Sequence, residues 1–472
     1  MVVKMQFLWY NIVVKNARGD NVLFRKAYKD IKKWFDSTNK NALLIDGARQ
    51  IGKTYLIREF LKENAESYIE FNLYENNLAK QAFETITNAK ELLIKISALA
   101  TKPLIKGKTI IFIDEVQAVE DVVTKVKFLI EEGSYRYIFS GSLLGISYKN
   151  IDSLPVGYLD ILEMYPLDFE EFCIANGVSR DTINYLEKQF KDLIPVDNIV
   201  HKQMINLFNL YTIVGGFPEV VAKFIETSNL QDIYYLHESI DKLYKLDISK
   251  YTKEKTLLVK DIYSLIPSEL NNPNKRFILK NLNEKARFYQ YEDSFVWLLN
   301  SNIGLFTYNV DNPIYPLLAS KERTLFKLFL CDTGLLCHYL YSDNVVRILN
   351  NDTNVNYGSI YENVVAQELK SHNYNLFYYN SKKNGEVDFI IENGTEVLPI
   401  EVKSGKDYKR HVALENLLNN DSYNINKAYT LCQGNIECIN NRIYLPIYMI
   451  MFFEKKKDVE SQVVNIDISA LK

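Results

Sequence analysis

Gly47-Ala48-Arg49-Gln50-Ile51-Gly52-Lys53-Thr54 follows directly on the apolar run Ala42-Leu43-Leu44-Ile45 and leads into an amphipathic stretch beginning at Tyr55. This is the phosphate-binding pattern G-x-x-x-x-G-K-[ST], and it requires a buried strand before it and a helix after it. The glycines let backbone N–H groups turn inward onto phosphate oxygens, while the helix points its positive end at them. Lys53 is expected to reach the β- and γ-phosphates of ATP, and Thr54 to give its hydroxyl to Mg²⁺. An ordinary glycine-rich strand-to-helix turn is the competing explanation, and the flanking strand and helix disfavour it. All eight residues are therefore candidate nucleotide ligands, with Lys53 also a catalytic one.

A phosphate loop of this kind belongs to a parallel sheet, and the following pattern agrees. Tyr68 to Leu73, Thr109 to Ile113 and Tyr135 to Ser140 read as strands. Tyr55 to Asn64, Leu78 to Ala100 and Val122 to Glu132 read as helices, and Phe24 to Phe35 as a lysine-rich helix before the first strand. Apolar strands alternating with helices imply a sheet covered on both faces. Asp114 and Glu115 end the apolar strand about sixty residues after the loop, the usual place for a Mg²⁺ acceptor and a water-activating base. Asp114 is expected to hold Mg²⁺ and Glu115 to orient and deprotonate the attacking water. Ser140 or Ser142, ending the next strand, is placed to sense the γ-phosphate or the lytic water. A plain Ser-Gly turn is the alternative.

With 472 residues, the chain should hold about three domains. Helices are expected from Asp168 to Ala175, Thr182 to Ile194, His201 to Val214 and Leu230 to Leu246. A winged-helix-like unit follows, with helices Thr256 to Leu265, Arg276 to Ala286 and Tyr291 to Ser301 and a wing strand Ile303 to Tyr308. From Gly358 a helix and short strands suggest a separate α/β domain. The net charge of −3 argues against a strongly basic nucleic-acid coat. The five cysteines are scattered without C-x-x-C spacing, which fits a reducing, cytoplasmic setting. The longest apolar run, Tyr444 to Phe453, is about half the roughly twenty residues of a membrane span and reads as a buried strand. The N-terminus lacks the marks of a signal peptide.

Taken together, these motifs resemble the AAA-type ATPases that carry a C-terminal DUF4143 region. The resemblance extends through Ile113-Asp114-Glu115-Val116-Gln117, Ser140-Gly141-Ser142 and Tyr165-Pro166-Leu167-Asp168-Phe169-Glu170-Glu171-Phe172. It continues in Gly215-Gly216-Phe217-Pro218-Glu219-Val220, Asp247-Ile248-Ser249-Lys250-Tyr251 and Asp332-Thr333-Gly334-Leu335-Leu336. It implies an α/β multidomain chain: an extension (1–23), an AAA-type P-loop domain (24–165), a helical lid (166–250), a winged-helix-like domain (251–340) and a restriction-endonuclease-like α/β domain (341–472). Many relatives carry Gly-Arg where this chain has Gly157-Tyr158. Tyrosine cannot neutralise phosphate charge, so slow turnover or an arginine from elsewhere is expected.

A second constellation lies near the far end. Glu386 to Ile391 and Val397 to Lys403 read as strands joined around Asn393-Gly394. A type I′ turn there would set Asp388 opposite Pro399 and Glu386 opposite Glu401, with Asp388, Glu401 and Lys403 on one face. Two carboxylates beside a lysine make a candidate Mg²⁺ nuclease site. The spacing resembles the PD-(D/E)xK nuclease core, and Glu362 matches the helical glutamate of many such enzymes. A solvated Glu-x-Lys strand face is the plain alternative.

Two functions follow. In one, ATP hydrolysis drives DNA binding or Mg²⁺-dependent cleavage by the C-terminal domain. In the other, that domain is a catalytically inactive partner of a nucleotide switch, and a basic side chain filling the metal position favours it. ATP, Mg²⁺ and DNA are the expected ligands, with an oligomer conceivable and no membrane partner. Lys275, Arg276, Lys280, Lys285 and Arg287 form a basic stretch, for which a solvated helix face is an equal explanation. The five histidines stand apart and form no metal cluster.

Overall fold

In this computed structural model the residues described are 23–85, 88–119, 122–141, 157–251, 256–341, 345–349, 355–405, 408–410 and 412–456. Ser142 and nearly all of the N-terminal extension lie outside them.

Five parallel strands form the first sheet, in the order β2 (Ser67–Asn72), β3 (Thr109–Asp114), β4 (Arg136–Gly141), β1 (Ala42–Asp46) and β5 (Leu159–Glu163). β1 and β3 are buried along their whole length, as their continuous apolar runs require. β5 escaped the sequence reading because it is an edge strand whose Asp160 and Glu163 interrupt the apolar pattern. The helix expected from Leu78 to Ala100 is two, Asn77–Glu84 and Ala89–Leu99. Asn76 and Asn88 each cap one by accepting from a backbone N–H three residues on.

The helical region comprises Phe169–Ala175, Arg180–Asp192, Asn198–Val214, Pro218–Thr227 and Leu230–Tyr251. The fourth was not expected; Pro218 starts it at a position where the missing N–H costs nothing. Asp168 and Glu171 form a capping box on the first of these helices. Both acids also reach back to the segment before β1, through Lys26 Nζ–Asp168 at 2.6 Å and Arg25 Nε–Glu171 at 3.2 Å.

The second sheet is mixed and eight-stranded, ordered β12 (Glu437–Ile439), β13 (Arg442–Pro446), β11 (Ala428–Cys432), β10 (Glu396–Val402), β9 (Gly385–Asn393), β8 (Phe377–Ser381), β6 (Gly304–Val310) and β7 (Lys321–Leu330). The sequence reading placed a wing at 303–308 and a boundary after 340. Instead β6 pairs in parallel with β8, Tyr308 beside Phe377, so the β6–β7 hairpin belongs to the C-terminal sheet. Between Arg276 and Ala286 only a short 3₁₀ turn, Leu279–Asn281, appears where a helix was expected. There the chain pairs with β7 instead, Phe277 N donating to Phe326 O at 3.0 Å. The apolar run at 444–453 breaks at Pro446 into the end of β13 and a 3₁₀ segment, Ile447–Phe452. Tyr357–Ser371 is a nearly wholly buried helix, and one continuous core runs from the P-loop helix Lys53–Asn64 through the helical region to this sheet.

Candidate functional site

The phosphate loop links β1 to the helix Lys53–Asn64, and its backbone takes unusual angles: φ is +151° at Gly47, +66° at Gln50 and +85° at Gly52. A Cβ at Gly47 would come within 2.2 Å of the Met164 carbonyl oxygen, so the loop can pass the end of β5 only with glycine there. Arg25 braces the loop from behind, donating to Ile51 O at 3.0 Å. Lys53 Nζ donates to the carbonyls of Gly47 and Ala48 at 2.8 and 2.7 Å. Burial pushes its pKa down, against the pull of Glu115, Asp46 and Asp114.

β3 delivers Asp114 to the loop. Thr54 Oγ1 lies 3.0 Å from Asp114 Oδ2, Asn72 Nδ2 lies 3.2 Å from the same oxygen, and Ser140 Oγ bonds to Asp114 Oδ1. A hydroxyl and a carboxylate oxygen in contact beside a glycine-lined phosphate cradle are the hard oxygen donors Mg²⁺ takes, so these residues fit the ion. Ser140 thus acts on Asp114.

Glu115 leaves the strand with φ +57°, is fixed by a hydrogen bond from Gln117 Nε2, and lies 3.9 Å from Arg49 Nη2. Burial raises its pKa, with Arg49 opposing. Arg49 in turn meets Asp247 of the helix Leu230–Tyr251 at 2.6 Å, and Tyr244 OH of that helix donates to Arg49 O at 3.1 Å. Asp247 escaped the sequence reading as a site residue; its place in the Asp247-Ile248-Ser249-Lys250-Tyr251 segment was the available signal. Tyr158 stands at the other end of the sheet. Its carbonyl bonds to Ala42 N, at the start of β1, and its hydroxyl to Glu131. An arginine there would lie beyond the far end of β1 from this chain's own phosphate loop.

Beside the loop, a cleft of about 370 Å³ is lined by Phe24, Tyr28, Gln50, Tyr55, Leu56 and Pro218 among others. It adjoins Gly52, and its walls are largely apolar and aromatic.

The second constellation is assembled differently from the sequence expectation. β9 and β10 pair with Asn393 opposite Glu396 and Ile390 opposite Pro399, so the turn is Gly394-Thr395 and the register shifts by two from the expected one. A shift of two keeps every side chain on its face. Continued by one pair, it sets Asp388 across from Glu401 instead of Pro399, and Asp388 Oδ2 accepts from Val402 N at 2.9 Å. Lys403 Nζ lies 2.6 Å from Glu401 Oε1, and burial raises the Glu401 pKa, with Asp388 adding to it. Glu362 does face this group. The centre is filled by Lys327 of β7, whose fully buried Nζ lies 2.8 Å from Glu386, 3.3 Å from Glu362 and 3.6 Å from Asp388. Lys275 bonds to Glu362 from the other side. Burial pulls the Lys327 pKa down, but Glu362, Asp388 and Glu386 outweigh it and hold the ammonium charged. Lys327 and Lys275 also keep Asp388 ionised despite its burial. Carboxylates already neutralised by an internal ammonium do not fit Mg²⁺, and among the described residues no group of three or more His, Cys, Asp or Glu could hold a metal. Of the basic stretch, Lys275 therefore faces inward.

Residues 39–173 match an AAA domain family, 205–345 a domain of unknown function, DUF8612, and 357–450 a domain of unknown function, DUF4143. An uncharacterized protein of Haemophilus influenzae is 23% identical over 377 residues, spanning 76% of this chain and 81% of that one. Among solved structures, the Walker-type ATPase PABY2304 of Pyrococcus abyssi aligns with a TM-score of 0.41 at 12% identity, over 70% of this chain and 99% of its own. The Orc1 protein of Aeropyrum pernix, solved in complex with DNA, aligns with a TM-score of 0.29 at 13% identity, over 70% and 93%. The chain thus carries an AAA-type P-loop domain in its first part and a DUF4143 region in its last. No single described helix is long and apolar enough to cross a membrane.

Proposed function

We propose that the chain binds and hydrolyses ATP, and that its C-terminal domain is a binding module under nucleotide control, not a Mg²⁺ nuclease. The observation that carries the first part is the contact of Thr54 with Asp114 beside the Gly47–Gly52 loop, with Glu115 one residue further on. The triphosphate lies along the loop N–H groups and Lys53, and the base fits the apolar cleft between Tyr28, Tyr55 and Pro218. Thr54 and Asp114 would hold Mg²⁺, which would supply charge neutralisation at the phosphates. Glu115 takes the proton of a water whose oxygen bonds to the γ-phosphorus as the bond to the ADP oxygen breaks. Ser140 keeps Asp114 oriented.

The second part rests on Lys327, the basic side chain at the centre of the acidic group. Several contacts tie the nucleotide domain and the helical region to the remainder. Asn302, just before β6, donates to Asp46 at 2.9 Å; Glu368 accepts from Phe169 N at 2.8 Å; Asp332 accepts from Gly216 N at 2.6 Å. DNA is the partner class we carry forward, on the exposed Lys280, Lys285 and Arg287 ahead of the β6–β7 hairpin.

The test compares wild type, Lys53→Ala and Asp388→Ala. ATP turnover is expected in wild type and absent in Lys53→Ala. DNA is expected to be bound in a salt-dependent manner and left uncut with Mg²⁺ or Mn²⁺. Cleavage by wild type that Asp388→Ala abolishes would overturn the binding-module reading.

A further inference from the structure

The Asp247-Ile248-Ser249-Lys250-Tyr251 segment finds no role in the chemistry above, and Arg49 sits at a variable position of the phosphate loop. Their meeting gives both a role. The helix Leu230–Tyr251 grips the loop twice, one helical turn apart: Asp247 Oδ1 takes the Arg49 guanidinium at 2.6 Å, and Tyr244 OH takes the Arg49 carbonyl at 3.1 Å. The Asp247 side chain is only 6% exposed and that of Arg49 28%, so the carboxylate end of this ion pair is shielded. The same guanidinium lies 3.9 Å from Glu115 and close enough to Lys53 to lower its pKa. It is therefore poised at the end of the loop where the terminal phosphate of a triphosphate, which a diphosphate lacks, must lie.

We propose that Arg49 is the γ-phosphate sensor of this chain, and that the terminal phosphate and Asp247 compete for its guanidinium. This rests on the ATP-binding reading. A guanidinium fork matches either a carboxylate or a phosphate edge, and a dianionic phosphate takes it from a monoanionic carboxylate. ATP then loosens the helix Leu230–Tyr251 from the loop and ADP leaves it clamped. The linkage is reciprocal: weakening the clamp strengthens ATP binding relative to ADP.

The readout is the ratio of the Kd for ADP to that for a non-hydrolysable ATP analogue, each measured by fluorescence with a labelled nucleotide. Asp247→Asn is expected to raise the ratio about tenfold, and Arg49→Ala to bring it near one. Arg49→Lys, which keeps the charge without the fork, falls between. Tyr244→Phe, which removes the second grip of the helix without touching charge, is expected to raise the ratio in the same direction by a smaller factor. Parallel changes for both nucleotides in Asp247→Asn and Arg49→Ala would make the pair a structural contact and overturn the proposal. If wild type binds neither nucleotide, the ATP reading itself fails.

Discussion

Lys327 and Glu362, 0% and 2% exposed, meet at 3.3 Å where β7 crosses the buried helix Tyr357–Ser371. A buried ammonium is stable only when carboxylates surround it, and removing one partner leaves the other charge without compensation. Lys327→Met should therefore destabilise the protein by about 3–5 kcal/mol in urea unfolding. Adding Glu362→Gln to it should recover part of the loss. In the same titration Mn²⁺ should stabilise Lys327→Ala, whose acids are vacated, and leave nucleotide-free wild type unchanged.

Glu115→Gln keeps the shape of the side chain and removes its ability to take a proton. Turnover of ATP is expected to fall by about 10²–10⁴, with nucleotide affinity within a few-fold of wild type. A comparable loss of affinity would show that Glu115 binds ATP and does not act as the base.

Gly47→Ala places a methyl group 2.2 Å from the Met164 carbonyl oxygen, at a φ that L-residues avoid. The loop must move away from β5 or the strand must shift, at a cost of about 1–3 kcal/mol. Fluorescent-nucleotide binding should weaken at least about tenfold, since loop N–H groups lose their aim. Unchanged binding would mean that the loop is more pliant than its packing implies.

His237 is buried beside His338, and burial, with the second imidazole, pushes its pKa down to about 3. Between that value and about 6.5 the unfolded chain takes up a proton that the folded chain refuses. Stability from this group is therefore complete above about pH 6.5 and is lost as pH falls toward 3. At pH 5 wild type should have lost about 2 kcal/mol relative to His237→Phe, compared with the same pair at pH 7.5. Chemical denaturation of both proteins at both pH values checks this.

The P-loop sheet was legible because buried parallel strands write themselves as unbroken apolar runs, and because Gly47, Gly52, Lys53, Thr54 and Asp114 lie close in sequence order to where they lie in space. β5 was not, since a half-exposed edge strand carries acids. The acidic group at Asp388, Glu401 and Glu362 was found correctly as a juxtaposition, and the two-residue error in register did not disturb it. Its two readings stayed open because the residue at its centre, Lys327, sits some sixty positions upstream of Asp388 in Leu325-Phe326-Lys327-Leu328-Phe329-Leu330. A lone lysine in such a run needs buried acids nearby, a signal readable in the sequence but not its address. Arg49 was read as one loop residue among eight, because its partner Asp247 is separated from it by the whole sheet.

The pairing of β6 with β8 carries a practical corollary for anyone dissecting this chain. A fragment cut to begin at residue 341 would lack β6 and β7, leaving the inner edge of β8 with unpaired N–H and C=O groups, an open template for self-association. It would also lose Lys275 and Lys327 together, so Glu362, Glu386 and Asp388 would keep only Lys403, which is already paired with Glu401. Such a fragment should aggregate or take up adventitious divalent ions. Cleavage by it would then report on the truncation and not on the intact protein.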